Sequence, residues 1–388
     1  MAFWARPFQT ARRLAPVLAI ALAMAACGGT SGDYPQSTLH PKSDLTSTID
    51  GVFMNTVWWA LLVFVLVEGA LLYVIFRYRG KADDGEPSQV HGNTLLEIIW
   101  TAIPALILAM IAVPTVRAIF QTYEVPKGDA LEVEVIGHQW WWEFRYPQYG
   151  VTTANELHVP VGRTVTLKMT TVDVLHSFWL PQLAAKRDVF PNRITTIWFR
   201  ADSAGYYSGQ CAEFCGLQHA RMAFHVAATT PEEFDGYITG LRRTGAPVPA
   251  DTTAPAAPSA AAREMTTTSL AAQQPPPRTD SAPMQASQDT ARPAAPAGAA
   301  EGAELFKARG CTACHTLDAT SKAKMIGPNL ANIGSRRYIA AGTLLNTDEN
   351  LARWIQDPQA IKHGVIMQSM GLTLEQARSV AAYLRTHK

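Results

Sequence analysis

The chain carries almost no net charge, and this absence limits the partners it can have. Its 33 lysines and arginines balance 32 aspartates and glutamates, which leaves a formal net charge of +1 at pH 7. A protein that binds nucleic acid through phosphates needs a basic surface, and the charge balance gives no sign of one. We therefore expect no nucleic-acid partner.

Cysteine is also scarce, with 5 among 388 residues. Four of the five lie in two short clusters that also contain histidine or methionine, namely Cys211-x-x-x-Cys215-x-x-x-His219-x-x-Met222 and Cys311-Thr312-Ala313-Cys314-His315. Thiolates close to imidazole or thioether groups are the ligands that soft metals prefer. The clusters therefore predict two sites that bind metals or metal cofactors.

The first apolar segment is too short to span a bilayer. Residues 14–26 follow three arginines and end in small residues immediately before Cys27. A basic start, a short apolar run and small residues at its end are typical of a secretory signal. The segment resembles a bacterial lipoprotein signal, which implies removal of residues 1–26 and attachment of lipid to Cys27. An ordinary signal with an unmodified cysteine is the alternative.

Two longer apolar segments, residues 52–76 and 98–120, can each cross a bilayer as a helix, which takes about 20 apolar residues. Pro104 and Pro114 lie inside the second segment, and membrane helices tolerate proline. The short loop between the segments is basic, so we expect it to be cytoplasmic. Residues 45–122 would then form a hairpin in a bacterial inner membrane, with both mature ends and the four clustered cysteines in the periplasm.

Beyond the second span, alternating apolar and polar residues predict short strands. These runs are bounded by Gly, Pro, Asn or Asp and cover residues 131–135, 156–159, 164–169 and 195–199. Several short strands over about a hundred residues are typical of a β-sandwich or barrel. We assign this domain to residues 123–242, with a closing amphipathic helix that begins at Pro231.

The composition then changes twice. Residues 243–300 consist mainly of Ala, Pro, Thr, Ser and Gln, and such a segment cannot bury enough apolar surface to fold. It predicts a flexible linker that lets the last domain move relative to the β domain. Residues 301–388 carry apolar residues at helical spacing, and Thr347 and Thr373 are candidate helix caps. This segment predicts a small all-α domain.

Cys311-Thr312-Ala313-Cys314-His315 has the pattern by which c-type haem is attached covalently. The two thiols reach the two vinyl groups, and the adjacent histidine is presented to the iron. A redox dithiol and half of a zinc site are the alternatives. No thioredoxin-like pattern surrounds the motif, and no second cysteine pair follows it, so we predict haem c.

The other cluster places Cys211, Cys215, His219 and Met222 within a dozen residues after a strand-like segment. Two thiolates with imidazole and thioether favour copper, whereas zinc sites seldom use methionine. A structural disulfide between Cys211 and Cys215 is the main alternative in the periplasm.

The surrounding residues resemble subunit II of haem–copper oxidases. The resemblance rests on Gln210-Cys211-Ala212-Glu213-Phe214-Cys215-Gly216, on Asp173 to Pro181 and on the aromatic stretch Gly137 to Phe144. It implies a cupredoxin-like β domain with a dicopper (CuA) centre. The implied ligands are two bridging thiolates, two imidazoles, a thioether and a main-chain carbonyl, supplied by Cys211, Cys215, His176, His219, Met222 and Glu213.

The same resemblance assigns further roles. It implies that Trp140 admits electrons to the copper pair, whereas Trp142 is expected to fill the β-sandwich. It also implies that the Glu213 side chain binds magnesium at the interface with the catalytic subunit. Glu97 matches a carboxylate at the mouth of a proton channel, although a solvated charge at the helix start is the alternative. Glu68 lies within the first span, where an ionisable group usually faces protein.

Residues 301–388 resemble the small cytochrome c fold. Gly327-Pro328-Asn329-Leu330 is similar to the loop that supports the proximal histidine in that family. The resemblance implies a methionine as sixth haem ligand, in the loop before the last helix. Met367 is the predicted ligand and Met370 is the alternative, while His363 is expected at the surface.

A subunit II with a cytochrome c domain behind it resembles the caa-type terminal oxidases. The resemblance implies a multidomain membrane protein that passes electrons from a donor, such as a cytochrome c or the bc complex, through haem c and copper to subunit I. There, oxygen is reduced to water with proton translocation. The implied partners also include subunit III and membrane lipid. The alternatives are a stand-alone periplasmic electron carrier and a copper-delivery protein.

Overall fold

The structure is a computed structural model that describes residues 35–79, 89, 92–126, 128–244 and 298–388. The predicted signal with Cys27, most of the loop between the two spans, and nearly all of the predicted linker lie outside these residues. Their predicted properties stay predictions.

Two long helices form the predicted hairpin, α1 (Asp44–Arg77) and α2 (Thr94–Tyr123). Both are long and apolar enough to cross a membrane. Each extends beyond its predicted span because capped polar turns continue the helix. Ser43 caps α1 by accepting a hydrogen bond from the N–H of Thr46, and Asn93 caps α2 in the same manner.

Polar contacts fix the hairpin to the β domain. The Ser43 hydroxyl donates to the carbonyl of Leu183 at 2.7 Å. At the last turn of α2, the indole N–H of Trp198 donates to the carbonyl of Thr122 at 3.0 Å. Both helices of the hairpin are therefore tied to the sandwich by hydrogen bonds.

The β domain is the predicted sandwich, with ten strands in two sheets. Its strands are β1 (Leu131–His138), β2 (Trp141–Tyr146), β3 (Val151–Ala154), β4 (Glu156–Pro160), β5 (Val165–Thr171), β6 (His176–Leu180), β7 (Ala184–Val189), β8 (Thr195–Phe199), β9 (Gly205–Cys211) and β10 (Ala223–Thr229). The sheet orders are β3-β2-β1-β5-β8 and β4-β10-β9-β6-β7. Helix α3 (Pro231–Thr244) closes the domain and starts at Pro231 as predicted.

Aromatic side chains fill the space between the two sheets. Trp142, Phe144, Phe178 and Phe224 are fully buried there. Phe178 and Phe224 stack with ring centroids 4.1 Å apart, and Trp142 meets Phe178 edge-on at 5.4 Å. The interpretation of Trp142 as a core residue is therefore confirmed. This core lies directly beneath the ends of β6 and β9, which carry the predicted copper ligands His176 and Cys211.

The last domain is predominantly helical. It contains α4 (Ala299–Ala308), α5 (Asp348–Gln356), α6 (Pro358–Ile361) and α7 (Leu374–Leu384), together with a short ribbon of β11 (Tyr338–Ile339) and β12 (Leu344–Leu345) that the all-α prediction did not include. Thr347 and Thr373 cap α5 and α7 as predicted, the latter in a capping box with Gln376. The helices surround a cavity.

The helical domain docks on the β domain. Ala319 and Ala331 of the helical domain are fully buried within the apolar cluster of the sandwich. Main-chain hydrogen bonds also cross the boundary, from Thr152 N–H to the carbonyl of Ala319 at 2.8 Å and from Ala223 N–H to that of Ala341 at 3.1 Å. The boundary is therefore a packed interface with its own hydrogen bonds.

A buried carboxylate lies at this boundary. Glu156 in β4 is 6% exposed and accepts hydrogen bonds from the hydroxyl of Tyr206 at 2.7 Å and from the N–H of Arg337, in the helical domain, at 3.1 Å. His158 Nε2 lies 3.0 Å from its other oxygen. Burial by itself would raise the pKa of Glu156, but these hydrogen bonds lower it to about 2.

Glu156 therefore links folding to pH. Since its pKa in the folded chain is below the ordinary value of 4.5, the ionised carboxylate stabilises the fold fully above about pH 4.5. That stabilisation is lost as the pH falls towards 2. Glu156→Gln should flatten the pH dependence of unfolding in this window, by up to about 1.4 kcal/mol per pH unit.

Denaturant unfolding of the detergent-solubilised chain, followed by tryptophan fluorescence between pH 5 and 2.5, measures this slope. Glu232→Gln on the exposed first turn of α3 is the control and should keep the wild-type slope. Equal slopes for wild type and Glu156→Gln would contradict the assignment.

Candidate copper and haem centres

The fold brings the predicted copper ligands together from two parts of the chain, residue 176 and residues 211–222. His176 begins β6, and Cys211 ends the neighbouring strand β9. Cys215 lies in the loop that follows, and His219 and Met222 lie on the short 3-10 turn that leads into β10. Antiparallel pairing aligns Phe178 with Cys211, which places the ends of β6 and β9 side by side.

The donor atoms form one compact cluster. The Sγ atoms of Cys211 and Cys215 are 3.7 Å apart. Cys211 Sγ lies 3.8 Å from Nδ1 of His176 and 3.2 Å from the carbonyl oxygen of Glu213. Cys215 Sγ lies 3.6 Å from Nδ1 of His219 and 3.7 Å from Sδ of Met222. Each thiol thus faces one imidazole, and both face each other, as a pair of bridging thiolates requires.

Burial and charge suit this cluster to a soft cation. Cys211, Cys215, Met222 and His176 are all at most 3% exposed. The hydrogen bond between the thiols lowers the pKa of Cys211 well below that of a free thiol and raises that of Cys215. A thiolate is therefore available at neutral pH, and thiolate, thioether and imidazole together select copper over hard cations.

Asp173 orients one of the imidazoles. Its carboxylate lies 2.8 Å from Nε2 of His176 and accepts the N–H of Gln139 at 2.6 Å. Burial favours the neutral imidazole, but the hydrogen bonds to Asp173 and Cys211 raise the pKa of His176 above its ordinary value. With Nε2 held by Asp173, Nδ1 points at Cys211, which is the arrangement that a metal-binding histidine needs.

Trp140, which is predicted to admit electrons, is hydrogen-bonded to the loop of residues 212–222, which we call the copper loop. The indole N–H of Trp140 donates to the carbonyl of Cys215 at 3.0 Å, and the side-chain amide of Gln139 donates to the same oxygen at 2.7 Å. Trp140 is partly buried and packs against the core of the sandwich. One hydrogen bond therefore joins its ring to a copper ligand.

The helical domain encloses a cavity of about 300 Å³. Its lining is largely apolar and includes the haem-attachment residues together with both methionine candidates, namely Cys311, Cys314, His315, Leu330, Trp354, Val365, Met367 and Met370. Two thiols, one imidazole and one thioether around an apolar cavity fit a covalently attached haem with histidine and methionine ligands.

His315 is held in the orientation that an axial ligand needs. Its Nδ1 is 2.9 Å from the carbonyl of Pro328 and donates to it, which leaves Nε2 free of a proton. Burial lowers the pKa of His315 and favours the neutral form. Gly327 is required here because a Cβ at this position would lie 2.5 Å from Cε1 of the imidazole. The predicted Gly327-Pro328 support of the histidine is thus present.

Both methionine candidates line the cavity, but their surroundings differ. Met367 is partly buried, and its carbonyl accepts a hydrogen bond from the side-chain amide of Gln359 at 2.8 Å. The same amide binds the carbonyl of Val365, so this stretch of the loop is fixed. Met370 is 37% exposed. These contacts favour Met367, and His363 is exposed as expected.

The two centres share one wall. Gln139, Trp140 and Trp141 of the β domain line the same cavity as the haem-attachment residues. Trp140 therefore lines the cavity and also donates its indole N–H to the carbonyl of Cys215. This juxtaposition could not be predicted from the sequence because it depends on how the helical domain docks.

Other predicted residues lie apart from the two centres. Glu97 is in the first turn of α2 and is exposed, and Glu68 is partly buried in α1. Within the described parts of the chain, the Glu213 carboxylate belongs to no cluster of three metal-ligating side chains. Magnesium at Glu213 and proton uptake at Glu97 stay predictions.

Two residues at these centres were not singled out from the sequence. Gln139 binds the carbonyl of Cys215, and Lys362 donates hydrogen bonds to the carbonyls of Trp140 and Ala340 at 3.1 and 3.2 Å. Gln139 lies next to the predicted Trp140, so its position could have been noticed. Nothing in the sequence around Lys362 indicates that its side chain is buried against another domain.

Three protein families match successive parts of the chain. Residues 40–118 match the transmembrane domain of cytochrome c oxidase subunit II, residues 150–229 match the periplasmic domain of the same subunit, and residues 299–388 match cytochrome c. These matches coincide with the hairpin, the sandwich and the helical domain. The two cytochrome c oxidase families imply a copper centre, and the cytochrome c family implies haem c.

Two relatives align with most of this chain. Cytochrome c oxidase subunit 2 of Alkalihalophilus pseudofirmus is 33% identical over 98% of this chain and 98% of its own length. The subunit from Bacillus sp. strain PS3 is 31% identical over 81% of this chain and 80% of its own length. The crystal structure of the periplasmic domain of the Bradyrhizobium japonicum subunit II shares 32% identity and covers 30% of this chain and 95% of its own, with a TM-score of 0.29.

The membrane hairpin, the compact sulfur and imidazole cluster on a β-sandwich, the apolar cavity behind Cys311 and Cys314, and the near full-length relatives agree with one another. The chain belongs to the cytochrome c oxidase subunit II family, as a membrane-anchored member with a cytochrome c domain at its C-terminal end.

Proposed function

We propose that this chain is the subunit through which electrons reach the oxygen-reducing centre of a haem–copper terminal oxidase. An electron donor reduces haem c, and the electron passes by way of Trp140 to a dicopper centre and then to subunit I, which reduces oxygen to water with coupled proton translocation. One observation carries the proposal. Trp140 lines the haem cavity and donates its indole N–H to the carbonyl of the copper ligand Cys215.

The copper cluster would hold two metal ions that share one electron. Cys211 and Cys215 would supply the thiolates, His176 and His219 the imidazoles, Met222 a thioether and Glu213 a main-chain carbonyl. The residues around the cluster keep it rigid, because β6, β9 and the aromatic core fix the ligand positions in both redox states. A rigid site changes little on reduction, which keeps electron transfer fast.

The helical domain would bind haem through thioether bonds to Cys311 and Cys314. His315, held by Pro328, and Met367 would be the ligands of the iron, and a methionine ligand raises the reduction potential relative to two histidines. The apolar lining excludes water from the iron. The helical domain would be the entry point for electrons, because Trp140 lines its cavity and is hydrogen-bonded to Cys215.

The membrane hairpin places these centres relative to their partners. We infer that both redox domains lie on the periplasmic side of a bacterial inner membrane. The outer surfaces of α1 and α2 are apolar and exposed along most of their length, which fits contact with lipid and with subunits I and III. Glu97, at the opposite end of the hairpin from the copper site, would admit protons from the cytoplasmic side.

Purification from membranes in mild detergent tests the proposed function. The chain should co-purify with a large polytopic haem subunit. The complex should show c-type haem absorption and a mixed-valence dicopper resonance, and it should consume oxygen. Isolation of the chain as a lone redox protein, with no oxygen consumption in its fractions, would instead favour the stand-alone carrier.

Cys215→Ser should abolish the dicopper resonance, because a serine hydroxyl is a hard and weakly acidic ligand that cannot replace a bridging thiolate. Haem c absorption should remain, since Cys215 lies outside the haem cavity. Electron paramagnetic resonance and copper analysis of the purified complex measure the loss. Glu213→Gln is the matched control in the same loop. It should keep the resonance because Glu213 would supply the copper pair with its main-chain carbonyl and not with its side chain.

Met367→Ala should remove the absorption that is typical of methionine-ligated ferric haem and lower the reduction potential of haem c. Met370→Ala, the matched change three residues further on, should alter neither. Redox titration with optical detection compares the two variants in the complex. The reverse pattern would assign the sixth ligand to Met370.

A further inference from the structure

Lys362 belongs to the helical domain but ends inside the interface with the β domain. It is 2% exposed, and its ammonium group donates to the carbonyl of Trp140 at 3.1 Å and to that of Ala340 at 3.2 Å. The first acceptor is in the β domain and the second is in the helical domain. A single side chain therefore joins the residue that faces the haem cavity to the domain that encloses it.

Burial of the Lys362 ammonium group is costly unless the group forms hydrogen bonds within the interface. Lysine is almost never fully buried without a partner, because removal of its charge from water is unfavourable. No carboxylate among the described residues forms an ion pair with Lys362, and its acceptors are two main-chain carbonyls. Burial and the nearby charge of Arg221 lower the pKa of Lys362 to about 7. A core residue serving only packing would not require an amine here.

Side chains of the copper loop hold residues 361–363, the segment around Lys362, through hydrogen bonds. The side-chain amide of Gln218 donates to the carbonyl of His363, and the guanidinium of Arg221 donates to that of Ile361. Gln218 and Arg221 flank the copper ligand His219. The clamped segment continues directly into the loop that carries Met367. The copper-binding loop and the loop with the sixth haem ligand are thus in direct contact.

We propose that Lys362 is a positioning residue that fixes the helical domain on the β domain with the Met367 loop against Trp140, and so sets the rate of electron transfer from haem c to copper. The part of this inference that concerns electrons rests on the proposed function, whereas the docking part does not. In the transfer, ferrous haem c loses one electron to become ferric, and the oxidised dicopper centre gains that electron. Lys362 neither donates nor accepts it.

The structural role predicts faster hydrogen exchange at the interface when the amine is removed. Lys362→Met keeps an unbranched side chain of similar length but cannot donate to either carbonyl. The N–H groups of Thr152 and Ala223, which donate across the boundary, should then exchange faster in the full chain within the complex. Lys324→Met, on an exposed loop of the same domain, is the matched control and should leave both rates unchanged.

The kinetic role predicts slower electron transfer in the same variant. After rapid photoreduction of haem c in the purified complex, Lys362→Met should reduce the rate of copper reduction by about tenfold, which corresponds to about 1.4 kcal/mol in the docking equilibrium. The dicopper resonance and the absorption of methionine-ligated haem should be those of the wild type. Lys324→Met should transfer electrons at the wild-type rate.

A second variant tests the same domain interface without changing Lys362. Gly364 has a φ of +82°, and a Cβ there would lie 2.4 Å from Cδ2 of Leu217 in the copper loop. Gly364→Ala should therefore also accelerate exchange at Thr152 and Ala223 and slow the transfer. Adding Leu217→Ala should partly restore the slow hydrogen exchange and the fast electron transfer of the wild type, because it removes the clash across the interface. A defect confined to the haem loop would not respond to a change in the other domain.

Wild-type hydrogen exchange and transfer rates in Lys362→Met would overturn the proposal. If Lys362→Met instead loses methionine ligation, the Gly364→Ala variant with and without Leu217→Ala is the deciding test. The proposal would then be overturned if Leu217→Ala restored neither the exchange rates nor the electron-transfer rate. Failure of the proposed function would look different. In that case no copper reduction follows photoreduction of haem c even in the wild type, while the exchange rates still depend on Lys362.

Discussion

Two hydrogen bonds to the carbonyl of Cys215 connect the parts of this molecule on which its function depends. Gln139 and Trp140 donate them, and both residues also line the haem cavity. Both residues therefore hold the copper loop in place and also form part of the wall of the haem cavity. Displacement of either domain would therefore change the path between the two centres, which makes the domain interface as important as the ligand sets.

The interface is specific because it buries polar groups that are satisfied only in one arrangement. Glu156 of the β domain accepts the N–H of Arg337, and Lys362 of the helical domain donates to the carbonyl of Trp140. An apolar contact tolerates sliding, but an unpaired buried charge is costly, so any other docking position would lose these partners. Since the two domains belong to one chain, a modest interface energy is enough to keep the docked state populated.

The membrane hairpin adds a further constraint. The polar start of α1 is bound to Leu183 of the sandwich through Ser43, and the end of α2 accepts the indole N–H of Trp198. Both contacts lie where the helices leave the apolar region. The sandwich is thus held at a fixed position relative to the membrane, and the haem-containing domain is held in turn by the sandwich. Direct contacts thus connect the membrane hairpin to the sandwich and the sandwich to the helical domain.

Local chemistry was enough to predict much of this protein from its sequence. The apolar spans, the caps at Thr347 and Thr373, the strands of the sandwich and the proximal histidine all follow from patterns within a few residues, because hydropathy period, capping and ligand spacing are local properties. The resemblance to known families supplied His176, which lies far from the other copper ligands in sequence. The burial of Lys362 and Glu156, the shared wall at Trp140 and the surroundings of Met367 could not be predicted in this way. The surroundings of Met367 depend on hydrogen bonds from Gln359 that form only in the folded helical domain. The contacts of Glu156 and Lys362 across the boundary join residues more than a hundred positions apart, and only the packing of the two folded domains decides which groups meet there.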